Sequence, residues 1–191
     1  IIAVIIMIVG ALLTSMVIAR EVENGTMETL RALPLQAGEF FLGKAIPYFF
    51  ITLIDVFVAI LMGQVLFGVV MKASFWLMVL ASGIYILVAL STGLLISVKT
   101  QSQLVANQLA VLVTYLPSLL LSDFVFPQQN MPAVLKAVSM VVPATYYIDI
   151  LNGLYLRNLS FFQLWPSFLV LAVMAALLAG LNIRALKREG L

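Results

Sequence analysis

Five apolar runs, each close to the roughly 20 residues that cross a bilayer as a helix, decide what this chain can fold into. The first spans Ile1 to Ala19 without a charged residue, and the second runs from Ala45 to Met71 with Asp55 as its one charge. The third covers Phe75 to Val98, the fourth Leu104 to Leu121 and the fifth Phe161 to Leu186. In hydrocarbon every backbone N–H and C=O must be satisfied within the protein, so such runs become helices. The expected class is an all-α polytopic membrane protein with five transmembrane helices. Only 9% of the residues are charged, against about 25% in soluble domains.

Several function classes drop out at once. With no cysteine and no histidine, disulfides, thiolate chemistry and the commonest general base and zinc ligand are missing. A net charge of +2 is too small to suggest nucleic acid. The chain starts at Ile1 inside an apolar run, without a methionine or a basic leader. It is therefore expected to be a fragment whose earlier part, with another span, precedes Ile1.

One long polar stretch interrupts the hydrocarbon. Arg20 to Lys44 holds seven of the 18 charged residues (10 basic, 8 acidic), and it must sit in water. Lysine and arginine counts orient it. Arg20, Arg31, Lys44, Lys99, Arg184, Lys187 and Arg188 fall on one side, and Lys72, Lys136 and Arg157 on the other. The excess of basic residues marks the cytoplasmic side. The polar stretch and the tail 187–191 are thus expected in the cytoplasm, and Ile1 and the segment 122–160 outside.

Within 20–44, Gly25 permits a sharp exit from the first span. Thr26 is expected to cap a short helix with Met27, Leu30 and Leu33 on one face, stopped by Pro34. Glu28 lies where the helix dipole favours an acid. Such a helix either docks a soluble partner or rests on lipid headgroups. Its acids, with Glu21 and Glu23 before it, match an anionic leaflet poorly. The string Gly38 to Lys44, GEFFLGK, fits the spacing of a nucleotide-binding P-loop. Ala45 replaces the magnesium-holding hydroxyl, the interior is bulky, and no strand precedes it, so nucleotide binding is not expected.

Inside the membrane, Asp55 lies eleven residues beyond Lys44, or ~16 Å at 1.5 Å per residue, near mid-bilayer. An ionised Asp there costs ~2.5–3.5 kcal/mol. It either lines a substrate path or gate, or hydrogen-bonds Asn107, Gln108 or Thr114 on the fourth span. Pro117 is expected to kink or end that span. Small residues at four-residue spacing form three stripes: Ala11, Ser15 and Ala19; Ala89, Gly93 and Ser97; Ala172, Ala176 and Gly180. These are expected to pack within the chain. Between Ser122 and Ser160, polar residues (Ser122, Asp123, Gln128, Gln129, Asn130) and the breakers Pro127, Pro132 and Pro143 suit either a re-entrant vestibule or an outer loop with an interfacial helix over 131–142. Tyr146, Tyr147, Tyr155 and Trp165 suit an outer aromatic belt.

With these residues laid out, the chain resembles the permease subunits of ABC-2 type exporters, including bacterial multidrug-type permeases. REVENGTMETL resembles the signature before that family's coupling helix, and PLQAGEFFLGKAIPY resembles the start of its next span. LPSLLLSDFVFPQQNMP and VPATYYIDILNGLYLRN resemble its two outer motifs, in family order. Asp123, Asn152 and Arg157-Asn158 depart from the family pattern, as does Asp55. The resemblance implies one ABC-2 type transmembrane domain over 1–191: spans 1–19, 45–71, 75–98, 104–121 and 161–186, a cytoplasmic coupling segment 20–44 and an outer re-entrant and amphipathic segment 122–160. It implies that Glu21, Glu23, Gly25, Thr26, Met27, Glu28, Leu30 and Leu33 meet an ATP-binding cassette subunit. ATP and magnesium would be held by that subunit, and no cofactor or metal by this chain. It further implies a second permease copy or paralogue as dimer partner, a periplasmic adaptor, surrounding lipid, and the bacterial inner membrane. Asp55, Asn107, Gln108 and Pro117 are the expected substrate path or gate.

Three functions compete. An ATP-driven exporter subunit for hydrophobic or amphipathic substrates fits the polar stretch and the resemblance. An ion-coupled carrier or channel would use Asp55, although such carriers usually show several intramembrane charges and internal repeats, and here there is one central acid and no repeat. A membrane enzyme is disfavoured, since Asp55, Asp123 and Asp149 lie at different expected depths with no catalytic motif around them.

Overall fold

The computed structural model describes residues 2–32, 36–68, 74–122 and 132–190. Leu33, Pro34, Lys72, Asp123, Pro127, Gln128, Gln129 and Asn130 lie outside the described residues. Helix α1 spans Ile2–Glu23, α2 Met27–Arg31, α3 Ala37–Phe67 and α4 Phe75–Lys99. Helix α5 covers Gln103–Leu120, α6 Ala133–Ser139, α7 Pro143–Asn152 and α8 Phe161–Arg188. Among these, α1, α3, α4, α5 and α8 are long and apolar enough to cross a membrane.

Two helices run further into the polar stretch than hydropathy suggests. Arg20 to Glu23 continue α1, and α3 begins at Ala37, with Gln36 and Glu39 exchanging capping hydrogen bonds. The P-loop-like string therefore lies inside a helix. At 31 residues, α3 is longer than the ~20 residues that span hydrocarbon. It stops at Gly68, which takes a left-handed φ of 61° that glycine adopts without a Cβ penalty.

The core is built around α4. Two of the small-residue stripes mate with each other. A Cβ on Gly93 would collide with the Thr14 hydroxyl and the Ala11 carbonyl, and one on Gly10 would come to 3.0 Å from Ala89. Backbones that close let side chains bond across the crossing. The Thr14 hydroxyl donates to the Leu90 carbonyl at 3.0 Å. The Ser97 hydroxyl accepts from the N–H groups of Ile18 and Ala19 at 2.8 and 2.9 Å. Tyr85 donates to the Ala3 carbonyl at 2.9 Å. On the other side of α4, the Asn182 amide of α8 donates to the Ser91 carbonyl at 2.8 Å. The third stripe behaves differently. Ala172 and Ala176 are exposed, and nothing lies within 4 Å of a Cβ built on Gly180, so this stripe forms no close crossing among the described residues.

Helix α7 lies beside α4 and α8. Tyr147 is fully buried, stacked on Tyr85 at 4.2 Å between ring centroids and hydrogen-bonded to Ser82 at 2.8 Å. It is a core residue, not a member of an aromatic belt. Tyr146 and Tyr155 are half-buried, while Trp165 is exposed. Ser82 lies seven residues past Phe75, ~10 Å along α4 at 1.5 Å per residue, so α7 sits at the depth of the spans. The preceding α6 exposes Val134, Leu135 and Val138, the apolar residues of the expected interfacial segment.

In α5, Pro117 neither ends the helix nor stands alone as a break. A π-helical turn over Val111–Tyr115 precedes it, and α-helix resumes from Leu116 to Leu120. Proline supplies no N–H to the turn before it, and a register of i→i+5 bonds is one way a helix absorbs that loss. Outside the core, α3 exposes Phe50, Ile51, Ile54, Val58, Leu61 and Val65, a surface suited to lipid and not to water.

Gly93→Val should test the α1–α4 crossing. Overpacking there is expected to lower stability in detergent by ~3 kcal/mol or more, read as a lower thermal unfolding midpoint. Gly63→Ala, with nothing near its Cβ, should leave the midpoint unchanged.

Candidate functional site

The polar stretch folds into a platform at the basic end of the bundle. Its centre is α2. Asn24, Gly25 and Thr26 form the turn out of α1, and Gly25 takes a φ of 72°, which a side chain would disfavour. Thr26 stands at the N-cap of α2 but makes no side-chain cap. Its hydroxyl turns back to the Glu21 carboxylate and main-chain carbonyl. The expected cap is thus replaced by a bond that closes the turn onto α1.

Glu21 and Glu23 hold neighbouring helices. Lys44 of α3 donates to Glu21 at 3.2 Å, while its ammonium lies 5.7 Å from the Phe40 ring centre. Glu23 accepts from the Gln103 backbone N–H at 2.9 Å, one of the unsatisfied donors at the start of α5. Arg20 donates to the Gln103 side chain at 3.2 Å. The run Arg20-Glu21-Val22-Glu23 therefore ties the end of α1 to α2, α3 and α5. Arg31 links α2 to Glu189 beyond α8 at 3.1 Å, an exposed pair worth no more than ~1 kcal/mol.

Beneath these ties lies a second apolar cluster. Met27 is buried with Val17, Ile18, Phe40, Phe41 and Leu186, and Leu30 packs at its edge. On the opposite face Glu28 and Thr29 are exposed. A groove of about 580 Å³ runs beside α2, lined by Met27, Glu28, Arg31, Lys99, Gln101 and Glu189. Of the residues expected to meet a partner, Met27 faces inward and Leu30 is half-buried. Glu23, Gly25, Thr26 and Glu28 are exposed, Glu21 is half-buried, and Leu33 lies outside the described residues.

A distinct feature lies between two of the expected spans. A mostly apolar cavity of about 360 Å³ between α1 and α3 is lined by Ile2, Ile5, Val9, Thr52, Asp55 and Val58. Asp55 is exposed there. Thr52, one turn earlier, is fully buried, and its hydroxyl has no partner among the described residues. The alternative partners expected for Asp55 stand elsewhere. Thr114 donates to the Ala110 carbonyl at 2.6 Å, Asn107 is half-buried on α5, and Gln108 is exposed. Among the described residues Asp55 forms no hydrogen bond with Asn107 or Gln108, and neither these nor Pro117 line its cavity.

Sequence reasoning passed over Thr52, Ser82 and Asn182. Each is a polar residue in an apolar run, and that was the available signal. Among the described residues, no group of three acids, cysteines or histidines is placed to hold a metal.

The family model described as ABC-2 family transporter protein matches residues 1–184. The chain belongs to the ABC-2 family of transporter proteins. It is 36% identical over 188 residues to the probable multidrug ABC transporter permease YbhS of Escherichia coli, covering 98% of this chain and 50% of that protein. It is 32% identical over 165 residues to the probable multidrug ABC transporter permease YbhR of the same organism, covering 86% and 45% respectively. A more distant relative is the ABC transporter G family member 20 of Dictyostelium discoideum, 24% identical over 179 residues, which are 93% of this chain and 24% of that protein. The chain spans about half the length of the bacterial relatives it matches. Its five long apolar helices mark it as a multi-pass membrane protein of that family.

The inward and outward faces of α2 should respond differently. Met27→Ala is expected to cost ~2 kcal/mol, the low end for a large-to-small change in a core. Glu28→Lys should stay within ~0.5 kcal/mol, as for ordinary surface changes. Denaturant unfolding followed by tryptophan fluorescence measures both.

Proposed function

We propose that this chain forms the membrane pathway of an ATP-driven exporter. In this reading α2 seats on a separate ATP-binding cassette subunit, which holds ATP and magnesium. The observation that carries it is the construction of α2. One face is anchored through Met27, and the turn before it is bonded to α1 through Thr26 and Glu21. The other face presents Glu28 and Thr29 to water. A short helix tied to several spans transmits displacement, where a free loop would absorb it.

The cargo class is hydrophobic or amphipathic, in keeping with the apolar surfaces of α1, α3 and α5. The path is proposed to include Asp55, Asn107, Gln108 and Pro117, with α7 as a re-entrant half-helix at its outer end. A second permease copy or paralogue supplies the facing wall, and a periplasmic adaptor continues the route. The setting is the bacterial inner membrane with α2 in the cytoplasm, supported by the distribution of basic residues and by the bacterial relatives.

The full-length protein, reconstituted with its ATPase subunit in proteoliposomes, tests this. Glu28→Lys should lower transport about tenfold, equivalent to ~1.4 kcal/mol of lost coupling, while ATPase activity and unfolding midpoint persist. Unchanged transport would count against docking through α2. Glu21 and Glu23 are poor choices for this test, because their reversal would also release α3 and α5.

The exposed Asp55, beside a Thr52 hydroxyl with no partner among the described residues, favours one competing reading, a carrier driven by protons or cations. It predicts transport by the permease alone under an imposed pH gradient, lost in Asp55→Asn. Under the exporter reading, Asp55→Asn changes ATP-dependent transport, and the permease alone carries nothing.

A further inference from the structure

At the end of the bundle away from α2, a polar pocket of about 240 Å³ opens between α7 and α8. It gathers three unlike groups: the Asp149 carboxylate, the Asn152 amide and the Arg157 guanidinium. Asp149 and Asn152 are three residues apart on α7, so they share a face. In an α-helix, a residue five places beyond Asn152 would lie about 140° around the axis. Gly153–Arg157 instead forms a π-helical turn. Its wider i→i+5 register brings Arg157 back over Asn152.

The local sequence supports this arrangement. Gly153 is buried against α8, where a Cβ would come to 2.7 Å from the Leu164 side chain. Asn158 ends the turn at a left-handed φ of 51°. Across the pocket, Ser167 of α8 donates to Asp149 at 2.7 Å and fixes the carboxylate. Asp149 and Arg157 share the pocket, yet they form no ion pair with each other among the described residues. Their opposite charges stand apart, as a ligand carrying both signs requires.

Depth narrows the ligand class. Ser167 lies six residues past Phe161, ~9 Å along α8, just below the exposed aromatics Phe162 and Trp165. Aromatic residues of this kind mark the membrane–water interface. The volume falls below the ~300–1,000 Å³ of pockets that enclose drug-sized ligands, and suits a headgroup whose chains remain outside.

We propose that this pocket holds the headgroup of a zwitterionic aminophospholipid, with its phosphate on Arg157 and Asn152 and its ammonium on Asp149. A guanidinium and an amide provide the donors a phosphate accepts. The carboxylate accepts from a primary ammonium and repels a second negative charge. A quaternary choline head has no N–H to donate. The proposal does not depend on the cargo or on ATP coupling.

The test uses the full-length protein in detergent micelles and native mass spectrometry, with dioleoyl phosphatidylethanolamine, phosphatidylglycerol and phosphatidylcholine in competition. The wild type should retain phosphatidylethanolamine about tenfold over the other two, the yield of one charge-assisted hydrogen bond. Arg157→Gln should lower retention of all three. Asp149→Asn should abolish the preference while leaving residual phosphate binding. The mono- and dimethylated ethanolamine lipids probe the same contact without altering the protein, and retention should fall with each methyl group. Equal retention of phosphatidylglycerol by the wild type would overturn the proposal, as would a preference that survives Asp149→Asn or full methylation. Displacement by equimolar glycerophosphoethanolamine, which lacks chains, would identify a soluble ligand and overturn the lipid assignment.

Discussion

The close crossing of α1 and α4 is the contact on which the other elements depend. Lipid offers no hydrophobic drive to bring two apolar helices together, so association rests on packing and interhelical hydrogen bonds. Gly93 and Ala11 let the backbones approach, and Thr14 and Ser97 then reach across to main-chain groups of the facing helix. Once α4 is fixed, its other faces collect α7 through Ser82 and Tyr85 and α8 through Ser91. The polar side chains of this core are small and bond largely to main chain, which limits what it costs to bury them.

The same helix that is locked to α4 leaves the apolar layer without a break. Its last turn, Arg20 to Glu23, becomes the anchor of the basic platform, so α2 is set by the position of α1. Two acids that the family resemblance would assign to a partner are engaged in this internal work. Glu21 holds Lys44 and the α2 turn, and Glu23 meets the start of α5. The outward surface is left to Glu28 and Thr29. At the other end, α7 and its π turn turn a sequence of ordinary spacing into a pocket with both signs of charge. The two ends are joined through the closely packed α1–α4 pair.

Local chemistry explains which features were legible in advance. The five spans follow from runs long enough to cross hydrocarbon, and the small stripes announce close packing. The fate of each stripe was not legible, because Ala172, Ala176 and Gly180 look like the other two yet form no close crossing among the described residues. Tyr147 reads as an interface aromatic until Tyr85, 62 residues away in the sequence, stacks on it. Thr26 has the composition and place of a cap, but its hydroxyl turns to donate to the carboxylate five residues earlier and makes no cap to the helix amides.

Hydrophobic length and the placement of lysine and arginine are properties of the chain read residue by residue. They suffice for helical class, span number and an expected orientation, since each helix meets its own backbone hydrogen bonds without help from its neighbours. Which helices touch, where Asp55 comes to face, and how Asp149 and Arg157 come to share one pocket belong to the folded bundle. Those outcomes turn on ångström-scale fits between residues far apart in the chain, and one-dimensional spacing carries no term for them.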